Sequence, residues 1–117
     1  MKVFVYFNLH KKVFSVRALE GSNKGRVIAH ADKLTLTDVT FKVSEAGRQR
    51  VLRECKKNVH AGVVGQWSGT LDAAIQAEND ISVTYNPYVY DSFVLRDKEL
   101  PIHWASSAYL DNRKIFV

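Results

Sequence analysis

The sequence predicts an α+β domain. It is a mostly antiparallel β-sheet with one main basic helix at about 44–57 and a short second helix at about 70–77. Three observations predict it. Apolar residues alternate in short runs broken by turn signals, as half-buried strands require. Residues 45–57 are instead dominated by Arg, Lys, Gln, Leu and Glu, all good helix formers. The 117 residues hold no internal repeat and no linker, so they form one domain, 1–117.

Lys2 to Asn8 places Val3, Val5 and Phe7 on one face. Leu9-His10-Lys11-Lys12 is polar enough to turn, and Val13 to Leu19 returns with Phe14, Val16 and Ala18 on one side, which makes a hairpin. Gly21-Ser22-Asn23-Lys24-Gly25 is a loop, followed by a strand from Arg26 to Ala31. Leu34 and Leu36 are apolar at even positions, and Val39, Phe41 and Val43 at odd ones. A bulge or sharp bend at Asp38 reconciles the two parities. Ser44 is an N-cap, Glu45 a first-turn acid, and Asn58 the expected stop of the helix.

Val59 to Trp67 reads as a strand containing Ala61, Gly62 and Gly65. Thr70 caps the short second helix, with Leu71, Ala74 and Ile75 on its apolar side. Strands follow at Ile81 to Tyr85 and Asp91 to Leu95, with Asn86-Pro87 turning between them. Ile102 to Leu110 is expected to pair back as a hairpin across Arg96-Asp97-Lys98-Glu99. Asp111-Asn112-Arg113 turns into a final short strand at Lys114 to Val117.

The net charge of +5 is unevenly spread. Residues 1–58 hold 13 Lys/Arg against 5 Asp/Glu, a balance of +8, and residues 59–117 hold 4 against 7, a balance of −3. The basic half suits an anion, or is simply a solvated surface. The single cysteine, Cys55, excludes an internal disulfide and a multi-cysteine metal site. No apolar run is long enough for a signal peptide or a membrane span, so a reducing cytoplasm is expected and no membrane partner. His10, His30, His60 and His103 are too scattered for a close metal pair, and no phosphate-loop or nucleophile-elbow motif occurs. The expectation is a binder, without cofactor, metal or catalytic residues, rather than an enzyme.

Three features supply binding chemistry. At about 100° per residue, Val51, Leu52 and Cys55 flank Arg48, which places an arginine in the middle of the apolar helix face. Arg48 then either pairs with an acid such as Asp38 or Asp91, snorkels, or holds a phosphate together with the N–H groups after Ser44. Arg50, Arg53, Lys56 and Lys57 make the outward face, either solvated or contacting phosphate. Tyr85, Tyr88, Tyr90 and Phe93 surround Asn86-Pro87. Those rings either fill the core or stack a base whose polar edge Asn86 reads. His60 beside the small residues of the 59–67 strand marks a bulge, a close ligand or a tight subunit contact.

Beyond these features, the runs Lys33 to Val51, Arg53 to Ala61 and Tyr85-Asn86-Pro87-Tyr88 resemble small phage proteins of the first Thoeris anti-defence type. The likeness spans roughly residues 33–62 and 83–93. Such proteins are sponges for cyclic ADP-ribose isomers, such as glycocyclic ADP-ribose, made by a bacterial TIR-domain enzyme. Some members also bind cyclic di- or trinucleotides, and they assemble through dimers into a hexamer. The resemblance implies immune evasion in the cytoplasm of an infected bacterial host. It also implies a pocket shared between subunits and lined by Arg50, Arg53, Asn86 and Tyr88, with Arg26 and Arg113 beside them. His103 stands where the family favours another basic group. The competing readings are a small DNA- or RNA-binding protein that uses the basic N-terminal half, and an interaction module that blocks a host enzyme.

Overall fold

The computed structural model describes residues 1–68 and 80–117. Ten strands form one sheet: β1 (Lys2–Asn8), β2 (Val13–Ala18), β3 (Val27–Ala31), β4 (Lys33–Val43), β5 (Ala61–Gln66), β6 (Ser82–Thr84), β7 (Val94–Leu95), β8 (Leu100–Pro101), β9 (Trp104–Asp111) and β10 (Lys114–Phe116). A single helix, α1 (Glu45–Glu54), interrupts them among the described residues. The strand order is β3-β2-β1-β5-β4-β9-β10-β6-β7-β8, and every pairing is antiparallel.

This corrects the expected α+β class. Strands take 50% of the described residues and helix 9%, so the described residues form a β fold with one short helix joining β4 to β5. Helix formers made the 44–57 segment look longer than it is, yet Val51 is its one buried residue. With so little apolar face to dock, tertiary packing does not extend α1. Ser44 caps it by accepting the Gly47 N–H at 3.2 Å. It ends at Glu54 because Cys55 turns left-handed (φ 55) and donates its N–H to the Val51 carbonyl. Cys55 is therefore an exposed cap, not part of an apolar face. The expected second helix at 70–77 lies outside the described residues.

The β1–β2 hairpin forms as expected. Its turn is held by Asn8, whose Oδ1 accepts the N–H groups of His10 and Lys11 at 3.0 Å each. The bulge at Asp38 is present. Asp38 has φ 49, and the β4–β5 register shifts between Thr37 and Thr40, while β4 runs unbroken against β9. The extra residue turns Leu34, Leu36, Val39 and Phe41 into the same core despite their opposite parities. The segment Trp104–Asp111 does not pair back across the 96–99 turn. It joins β4 and β10 instead, where Leu34 faces Leu110 and Leu36 faces Ala108. The 96–99 turn closes only the small β7–β8 hairpin.

The sheet curls. Three strand spacings separate β1 from β9, about 14 Å if flat. Yet the Arg113 guanidinium, in the turn after β9, stands 5.0 Å from the Phe7 ring of β1. The curl wraps one core of Val3, Val5, Phe14, Leu34, Leu36 and Leu110. It also leaves a cleft where its two sides meet.

Candidate functional site

The cleft arises from unequal strand lengths. Strand β1 pairs with β5 from Lys2 to Val5, then continues with β2 alone as far as Asn8. Beyond Val5 it parts from the 57–60 segment, and the gap opens to about 990 Å³. Tyr6, Phe7, His60, Tyr85, Asn86, Tyr88 and Arg113 line it, with Lys57 and Asn58 at the same wall.

A hydrogen-bonded relay organises that wall. His60 Nδ1 lies 3.1 Å from the Asn58 carbonyl and 3.0 Å from its Oδ1, while His60 Nε2 lies 2.7 Å from the Tyr85 hydroxyl. One arrangement satisfies all of these. Nδ1–H donates to Asn58, and Nε2 accepts the Tyr85 O–H. The Tyr85 ring packs 5.1 Å from Phe93, which packs 5.2 Å from Phe41 in the core. The relay is thus anchored to the sheet interior.

Gly47 lets α1 approach it, since a Cβ there would sit 2.5 Å from His60 Cβ. Burial raises the Tyr85 pKa above its ordinary value of 10.0; the charge of Arg48 opposes the shift, and Glu45 and Asp91 add to it. The folded state therefore holds the Tyr85 proton more tightly than the unfolded chain does. This contribution is complete below pH 10 and is lost as pH rises through the raised folded value. Ultraviolet titration of the phenolate band is expected to show Tyr85→Phe removing a late-ionising group, with less loss of stability above pH 10 than in the parent.

The Asn86 turn is the second wall. Asn86 Oδ1 accepts the Tyr88 N–H at 2.9 Å, and its carbonyl accepts the N–H of Val89 and of Tyr90. That leaves the Asn86 Nδ2 donors without a protein acceptor among the described residues. Arg48 tethers the turn to α1. Its Nε donates to the Pro87 carbonyl at 3.2 Å and the Tyr90 carbonyl at 3.0 Å, and Nη1 donates to Glu45 at 3.1 Å. Arg48 is largely buried beside Val51, while the exposed Cys55 does not cover it, and its partners are Glu45 and two carbonyls rather than Asp38 or Asp91.

Of the expected site residues, the fold brings Asn86, Tyr88 and Arg113 to the cleft. Arg48 stands behind it as a clamp. The others lie elsewhere. Arg50 is exposed and 3.7 Å from Glu54, and Arg53 is exposed in the last turn of α1. Arg26 is exposed at the end of the glycine loop, and His103 is exposed before β9. The aromatic cluster divides. Phe93 is core, Tyr90 bonds Glu99 at 2.8 Å, and Tyr88 is exposed. Sequence reasoning missed Tyr6, Phe7 and Asn58. Lys57, read as part of the basic helix face, and His60 beside the small residues were its signals for this wall. The strand glycines have an internal explanation: the Phe4 ring covers Gly62, and Leu36 packs on Gly65.

A family model described as Mycobacterium phage L5 gene 82 protein matches residues 1–117. The chain belongs to that family. A relative, the Gene 82 protein of Mycobacterium phage L5, is 39% identical over 118 residues, spanning 96% of this chain and 91% of the relative. No solved structure matches. The phage origin implied by the resemblance therefore stands, but the family shown is that of gene 82. Nothing in these matches points to Thoeris anti-defence or to signal sequestration. Among the described residues no helix is long and apolar enough to cross a membrane.

Proposed function

We propose that this phage protein binds a small anionic nucleotide in the cleft and withholds it chemically unchanged, with cyclic ADP-ribose isomers of the infected host's cytoplasm as the ligand class. The supporting observation is that Arg113, Tyr88 and Asn86 meet at one opening. A cation suits a pyrophosphate, a ring suits an adenine, and an amide donor suits a ribose hydroxyl. The volume lies at the upper end of the roughly 300–1,000 Å³ usual for small-molecule sites.

Arg50 and Arg53 stand outside this cleft and reach such a ligand only from a second copy. The reading therefore includes a homo-oligomer, a dimer at least. Among the described residues the sheet ends at β3 and β8, and edge strands of this kind suit pairing with a second copy. Light scattering showing a 13.3 kDa monomer at micromolar concentration counts against that part.

The test is to incubate the protein with a mixture of cyclic ADP-ribose isomers and cyclic dinucleotides, denature it, and identify what is released. Intact nucleotide is expected, and its absence overturns the reading. Release of hydrolysed product in excess makes the protein an enzyme instead. By calorimetry, Arg113→Ala and Tyr88→Ala should each weaken binding by about 1–3 kcal/mol, roughly 5- to 150-fold. Both side chains are exposed, so their removal leaves the core intact.

A further inference from the structure

The curled sheet has a second face, turned away from the core. Cross-strand register aligns one row along it: Arg17 on β2 opposite Phe4 on β1, then Val64 on β5, Thr40 on β4 and Trp104 on β9. Their chain neighbours Val3, Val5, Val16, Val63, Val39 and Phe41 are all core residues, so strand alternation points this row outward. The Arg17 guanidinium stands 5.7 Å from the Phe4 ring and 5.5 Å from the Tyr6 ring, and the two rings are 6.0 Å apart. The Phe4 ring lies close over Gly62, where a Cβ would meet its Cζ at 2.5 Å. At the far end, three strands along from Phe4, Trp104 is 63% exposed. Lys42 and Lys2, exposed on the same face, supply further positive charge, with the Glu20 carboxylate at the Lys2 end.

We propose that this face binds single-stranded nucleic acid. An exposed tryptophan and two half-buried rings interleaved with cations are what stacked bases and a phosphate backbone require together. A duplex keeps its base faces inside its own stack and gains nothing from Phe4, Tyr6 or Trp104. An acidic peptide would use the cations and leave the rings idle. The +8 balance of residues 1–58 raises the local concentration of a polyanion over the strands that carry most of the row. Of the rings and cations used here only Tyr6 also lines the cleft, and the proposal does not depend on what the cleft holds.

Tryptophan fluorescence reads the proposal directly. The chain has two tryptophans, and Trp67 is only 7% exposed, so quenching by a polymer reports Trp104. Titration with labelled oligothymidylate of about 15 nucleotides should quench that emission saturably and raise the label's anisotropy. Trp104→Ala should abolish the quench and weaken binding about tenfold. Lys42→Glu should weaken binding and make its dependence on salt shallower. Both positions are exposed, so both variants fold. Asn86→Ala, in the cleft, should bind the oligonucleotide as the parent does. The proposal is overturned by no saturable binding, by equal affinity for a duplex or for an acidic peptide, or by Trp104→Ala binding unchanged.

Discussion

Gly62→Ala is expected to destabilise the fold by roughly 2–3 kcal/mol, the upper part of the range for overpacking. Alanine in place of a strand glycine ordinarily gains about 0.5–1 kcal/mol. The sign reverses here because the new Cβ would lie 2.5 Å from Phe4 Cζ and 2.6 Å from the Val5 carbonyl oxygen. The ring can rotate away, but the carbonyl belongs to the β1 backbone and cannot move without disturbing the β1–β5 ladder.

Combining Gly62→Ala with Phe4→Leu should therefore recover only part of the loss, as urea unfolding of the four proteins in the double-mutant cycle would show. Full recovery would mean that the ring alone dictates glycine there. Gly65→Ala should cost less. Its nearest neighbours are the Thr37 carbonyl oxygen at 3.0 Å and Leu36 Cβ at 3.1 Å, distances that a small shift relieves.

Arg48→Ala should cost about 2–3 kcal/mol and loosen the cleft as well. The substitution removes the Nε donor shared by the Pro87 and Tyr90 carbonyls, together with the ion pair to Glu45. Two partly buried acceptors then lose a charged partner, and the Asn86 turn loses its tie to α1. Arg48→Lys should restore the charge but little of the stability, because lysine lacks the planar guanidinium that reaches both sides. Denaturant midpoints give the stability, and amide exchange at Val89 and Tyr90, whose N–H groups close the turn, gives the loosening. Exchange at those two amides unchanged in Arg48→Ala would show that the turn stands without the clamp.

The sequence by itself was enough for the first four strands, the Asp38 bulge and the start of α1. All are written in short-range signals: alternation, a parity change between Leu36 and Val39, and a serine before a run of helix formers. The burial of Arg48 was legible from its place beside Val51 and Leu52, although Cys55, read as its third flank, is exposed. The helix length was not, because Cys55 adopting φ 55 is a choice among caps that propensity does not rank.

Partner strands were not legible either. The segment Trp104–Asp111 fits the 91–95 strand or β4 equally well by pattern. Only packing Leu110 against Leu34 and Ala108 against Leu36 in one closed core selects β4. The candidate site followed the same division. Asn86, Tyr88 and Arg113 had visible chemistry, but residues 113 and 7 meet only because the sheet curls. His60 and Tyr85, 25 residues apart, bond only once β5 and the segment after β6 face each other. Curvature is a property of the whole sheet, summed over many strand contacts, and no local run of residues encodes it.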